Sequence, residues 1–131
     1  MDIIIADWFP VGHIRQCCLT HFKEKILYGT KIHTIRKNFT KWNCRIKKFS
    51  LRRKIMEVKT VDNNKIVSIK NPGIQKLNFT EYGYCLIDNK LIPLTTVALN
   101  DGLTIEELLS WFKNENIKND YALIHFTGMR Y

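Results

Sequence analysis

Short runs of alternating apolar residues, each closed by a turn, fill the middle of this chain, while recurrence every four residues is confined to two stretches nearer its ends. Residues 31–36 alternate in the manner of a strand. Residues 51–61 and 65–70 predict two more strands around Asp62-Asn63-Asn64, and Asn71-Pro72-Gly73 marks a turn. Residues 82–88 predict a further strand before Asn89-Lys90, and 121–127 a last one. Residues 2–9 read as a short extended segment that Pro10 and Gly12 break. Helix is predicted over 16–28, where Cys18, Phe22 and Ile26 recur every four residues and Gly29 supplies a stop. It returns over 94–99 after Pro93. A third helix follows Gly102, opened by Thr104 and Glu107 as a capping box, with Leu108, Leu109 and Phe112 facing inward beside Ile105 and Trp111. Residues 37–50, basic and irregular, predict a loop or ragged strand. At 131 residues this is one domain, 1–131, of α+β class, with a small, curled, mostly antiparallel β-barrel and flanking helices.

The charge is as uneven as the pattern. Residues 14–54 carry 13 Lys and Arg against the single acid Glu24, a local +12, whereas the remaining 90 residues carry 8 bases and 11 acids, −3. One segment thus accounts for the net +9. A field of that sign concentrates polyanions and phosphorylated ligands near the surface. The interleaved rings Phe39 and Trp42, with Trp8 and Phe9 upstream, offer surfaces on which bases stack, although most such rings serve a core.

No run approaches the roughly 18 apolar residues of a membrane span, and Asp2 and Asp7 interrupt any leader-like opening. The expectation is a soluble, intracellular, cytoplasmic protein without a membrane partner. Cys17, Cys18, Cys44 and Cys85 lack the spacing of zinc or C-x-x-C redox sites, so free, buried or half-buried thiols are predicted, with no metal and no cofactor.

Three stretches carry a family likeness. Gly29, Lys31, Thr34, Ile35 and Arg36 form a helix-Gly-Lys-x-x-Thr-Ile-Arg segment. Ala98, Asp101 and Gly102 precede a capped helix that runs to Trp111-Phe112. The segment 123–127, Leu-Ile-His-Phe-Thr, is followed by Arg130-Tyr131. In this order they resemble ASCH domains, a branch of the PUA-like superfamily, and in particular small members from bacteria and their phages. The resemblance spans residues 22–131, with 45–90 matching only as generic barrel strands. It implies a PUA-like barrel with a cleft between barrel and helices. It also implies either nucleic-acid binding or amide hydrolysis on acylated cytidine nucleosides, between which fold alone does not choose.

For a binding module, with RNA the favoured partner or else a nucleotide or nucleoside, the expected contacts are Lys31, His33, Thr34, Arg36, Lys37, Lys41, Trp42, Arg45, Lys47, Lys48, Arg52 and Arg53. For a hydrolase, the resemblance implies Lys31, Thr34 and Asp101: Thr34 as nucleophile, Lys31 as its activator, and Asp101 to move a proton to the leaving amine. The family acid is Glu, so Asp101 is a departure that shortens the reach by about 1.5 Å, where a shift of about 1 Å can cost about 10²-fold in rate. Thr34 and Arg36 share a strand face by alternation. Lys31, three residues before Thr34, joins them only from a loop after Gly29 or across a bulge. His33 and His125 read first as satisfied histidines, and Asp101-Gly102 is also ordinary turn chemistry. A third expectation is a phage-type accessory protein whose basic face binds a host protein.

Overall fold

The computed structural model describes residues 1–51, 55–113 and 118–131, and for 49–51 the backbone alone. Among the described residues, backbone pairing sorts eight strands into two sheets. The first has three strands: β1 (Asp2–Ile5) lies parallel to β3 (Met56–Thr60), which forms a hairpin with β4 (Lys65–Ile69). The second has five strands in the order β2-β8-β5-β6-β7 and is antiparallel throughout. These are β2 (His33–Lys37), β5 (Gly73–Phe79), β6 (Tyr84–Ile87), β7 (Lys90–Pro93) and β8 (Tyr121–His125). No pairing between described residues closes the sheets into a barrel. The architecture is α+β with mostly antiparallel sheets and, among the described residues, four helices.

All five residues of β8 are buried, as expected of a central strand flanked by β2 and β5. Its registers fix the sheet: His33 pairs with His125 and Arg36 with Ala122 on one side, and Gly73 with His125 and Leu77 with Tyr121 on the other. The core gathers Leu123 and Ile124 with Leu77, Ile87, Met56, Val58, Val97 and Leu108, each fully buried. Truncating one such Leu to Ala costs about 2–5 kcal/mol.

The helices follow local chemistry. Helix α1 spans Phe22–Tyr28, shorter than the predicted 16–28, because His21 sits at φ 57° and residues 14–18 form turns instead. Phe22 and Ile26 are its buried residues, and Gly29 ends it at φ 80°, a left-handed cap that glycine adopts without strain. Helix α2 (Phe39–Leu51) corrects the loop predicted over 37–50. Ile46 is buried and Phe39 and Trp42 pack on the core, at helical spacing, while Lys41, Cys44, Arg45, Lys47 and Lys48 face solvent. The Asn38 side chain accepts the Lys41 backbone N–H at its start. Helices α3 (Leu94–Asn100) and α4 (Ile105–Trp111) match expectation, and both hydrogen bonds of the Thr104–Glu107 capping box are made. Leu108 is buried as predicted, but Leu109, expected inward, is 49% exposed.

Two strands escape the sequence patterns. β5 presents Gln75 and Leu77 inward, and the buried polar Gln75 breaks the apolar alternation. β7 forms a hairpin with β6 through Asp88 and Asn89, both at positive φ, the conformation a tight two-residue turn requires. Cys17, Cys18 and Cys44 are exposed and only Cys85 is buried, which corrects the expectation of buried thiols for those three. Small-residue packing places Cys85 in the core, whereas the other three lie on turns and on the outer face of α2. Among the described residues no helix is long and apolar enough to cross a membrane.

Candidate functional site

A cavity of about 350 Å³ opens between the two sheets and helices α1 and α4. Ile4 and Ile5 come from β1, Val61 from the turn after β3, Phe22 from α1, and Trp111 and Phe112 from the end of α4. Lys31, Thr34, Arg36 and Asp101 bring the polar groups to this mainly apolar wall. Apolar walls with a few convergent polar groups are the usual make-up of a small-ligand site.

Local geometry explains the convergence. Lys31 precedes β2 and forms an isolated antiparallel bridge with Asp101, and the Ile32 N–H donates to the Asn100 carbonyl at 2.9 Å. Lys31 is therefore free of strand alternation and shares the cavity with Thr34, as the loop placement requires. Gly102 makes the approach possible. It sits at φ 75°, and a Cβ there would lie 3.1 Å from both Lys31 Cβ and Lys25 Cδ.

Lys31 Nζ donates to Asp101 Oδ1 at 3.1 Å and to the Asp101 backbone carbonyl at 3.0 Å. It also lies 4.2 Å from the Phe22 ring centroid, a cation–π contact. Lys31 is 2% exposed and Asp101 5%. Burial lowers the Lys31 pKa against the pull of Asp101, and the positive charges of Arg36 and Lys25 push the same way. Burial alone would raise Asp101, but the Lys31 charge and the hydrogen bond to His33 outweigh it and hold the carboxyl below its ordinary value. Asp101 Oδ1 takes both Lys31 and His33, so no hydrogen bond among the described residues reaches Oδ2.

Arg36 lines the wall and donates through Nη2 to the Ile4 carbonyl at 2.6 Å, while its buried Nε has no partner among the described residues. Burial lowers its pKa, partly offset by Asp101. The Thr34 hydroxyl makes no hydrogen bond among the described residues, and none links it to Lys31.

His33 is fully buried behind Asp101 and is not a lining residue. Its Nδ1 lies 3.0 Å from Asp101 Oδ1 and its Nε2 2.6 Å from the Tyr131 hydroxyl. The remaining expected contacts lie away from the cavity lining. Lys37 borders a second hollow with Phe39, Asn119 and Asp120. Trp42 is half-buried, with the Arg45 guanidinium 4.8 Å over its ring, and Lys41, Lys47 and Lys48 stand exposed along α2. Arg52 and Arg53 fall outside the described residues.

Sequence patterns gave no sign of Asn100 or Gln75 as partners of the site, and marked Tyr131 only as following the third family-like stretch. Their positions come from tertiary pairing alone. Among the described residues no cluster of three or more His, Cys, Asp or Glu side chains is arranged to hold a metal ion. Comparison with known protein families, curated proteins and solved structures finds no match.

Proposed function

We propose that this chain is an ASCH-type, PUA-like domain that binds a nucleotide, free or within a nucleic-acid strand, RNA being the favoured polymer. The base occupies the cavity, and phosphates meet the cations of β2 and α2. The observation that carries this reading is the convergence, between the rings of Phe22, Trp111 and Phe112, of donors from Lys31, Thr34 and Arg36 with an acceptor on Asp101. A nucleobase edge offers matching donors and acceptors, and its faces suit aromatic walls. The exposed Lys41, Arg45, Lys47 and Lys48 supply the electrostatic term. Titration of short single-stranded RNA and DNA and of the four ribonucleoside monophosphates, across a salt series, tests it. Affinity that falls steeply with salt is expected, and no salt-sensitive binding to any of them overturns the reading.

A second reading, hydrolysis of acylated cytidine, is favoured by one observation: burial depresses the Lys31 pKa on the cavity wall that holds Thr34. Thr34 Oγ1 would attack the acyl carbonyl, the cytidine amine would leave with a proton, and water would then free the acyl group from Thr34. The unliganded geometry instead commits the Lys31 ammonium to Asp101, which is why binding stands first. Turnover of N4-acetylcytidine by the native chain, abolished in Thr34→Ala, is the expected result for this reading. Absent or equal turnover rejects it.

A further inference from the structure

Asp101 stands at the cavity end of a directed chain of hydrogen bonds. Asn100 Nδ2 donates to the Tyr131 hydroxyl oxygen at 3.0 Å. With that lone pair used, the phenolic proton is available to His33 Nε2, 2.6 Å away. His33 Nε2 then accepts, and the ring proton sits on Nδ1, where it donates to Asp101 Oδ1 at 3.0 Å. Each donor in the chain meets an acceptor, which is what complete burial of His33 demands.

Tyr131 is itself held from a second direction. Its backbone N–H donates to Gln75 Oε1 at 3.0 Å, and Gln75 Nε2 donates to its carbonyl at 3.2 Å and to Asp88 Oδ2 at 3.1 Å. These contacts fix which end of the Gln75 amide is oxygen. His125 Nε2, 2.9 Å from that oxygen, must therefore carry a proton, which leaves Nδ1 bare and without a partner among the described residues. The two buried rings, perpendicular and 5.7 Å apart, thus hold opposite tautomers.

We propose that Tyr131 is a positioning residue. Its hydroxyl fixes the His33 tautomer, and His33 together with Lys31 engages Asp101 Oδ1 so that Oδ2 is left to meet a ligand donor. The structural part stands alone. Its consequence for binding rests on the nucleotide reading.

Imidazole nitrogen NMR of the native chain and of Tyr131→Phe tests this. The native spectrum is expected to show His33 with the proton on Nδ1 and His125 with it on Nε2, each as one tautomer. In Tyr131→Phe the His33 signals become a mixture of tautomers while those of His125 persist, and cytidine monophosphate binding weakens about 5–10-fold, the worth of roughly one hydrogen bond. A native His33 protonated at Nε2 overturns the proposal, as does a His33 spectrum unmoved by Tyr131→Phe. Should the native chain bind no nucleotide or RNA, the nucleotide reading falls, while the spectra still decide what Tyr131 does to His33.

Discussion

Replacing Asp101 with Asn isolates the energetic role of the buried pair. Asp101→Asn keeps an acceptor for His33 but leaves the Lys31 side chain, 1% exposed, without its carboxylate. Removing one partner of a buried pair costs about 3–5 kcal/mol, because the other charge remains desolvated. At roughly 3–5 °C per kcal/mol for a chain this size, Tm falls by about 10–20 °C at pH 7. The double variant Lys31→Met, Asp101→Asn removes the stranded charge and is expected to recover most of the loss. The pH dependence has a definite sign. In the single variant the folded-state pKa of Lys31 lies below its unfolded value of about 10.4, so the cost is fully present below the folded pKa and fades as pH rises toward that limit. In the native chain the depressed Asp101 pKa contributes stability that is present above about pH 4 and lost as pH falls through the folded value, so the two chains converge in strong acid. Thermal unfolding at pH 3, 7 and 9.5 reads all three arms. A Tm loss under about 3 °C at pH 7, or a double variant no better than the single, refutes the reasoning.

Burial, with His33 and Arg130 nearby, lowers the His125 pKa to about 4. The unfolded chain takes up that proton near pH 6.5, so stability drops by about 2–3 kcal/mol as pH falls from 6.5 to 4. Urea unfolding of His125→Gln should lack that part of the drop, and parallel acid profiles for the two chains would contradict it. On α2, replacing Lys41, Arg45 and Lys48 together with Ala should lower RNA affinity and flatten the log K against log salt slope by about 2 if all three meet phosphates. An unchanged slope places the phosphate contacts elsewhere.

What the sequence discloses depends on how local the physics is. The Thr104–Glu107 box and the Gly29 stop were legible because a cap is satisfied within four residues. The β3–β4 hairpin was legible through Asp62-Asn63-Asn64, where Asn63 adopts φ 68°. Helix α2 was hidden because the seven Lys and Arg between positions 41 and 54 dominate the local composition, while the inward face of the helix rests on Phe39, Trp42 and Ile46. β5 was hidden because Gln75 occupies an inward position that only distant His125 and Tyr131 make acceptable. Lys31, Thr34 and Asp101 were singled out through family likeness. Their shared cavity follows from the bridge between residues 31 and 101, a pairing across 70 positions that no local pattern encodes.

The strand order has a consequence for how the chain reaches its native state. β8, at residues 121–125, is the sole ladder partner of β2 among the described residues and lies between β2 and β5. During synthesis, residues 33–37 therefore wait for some 85 further positions before their backbone groups find a mate. Closing so distant a contact is slow and entropically costly until much of the remainder is in place. The wall bearing Thr34 and Arg36 is therefore expected to form only after residues 121–125 have been made, since β2 pairs with no other strand among the described residues.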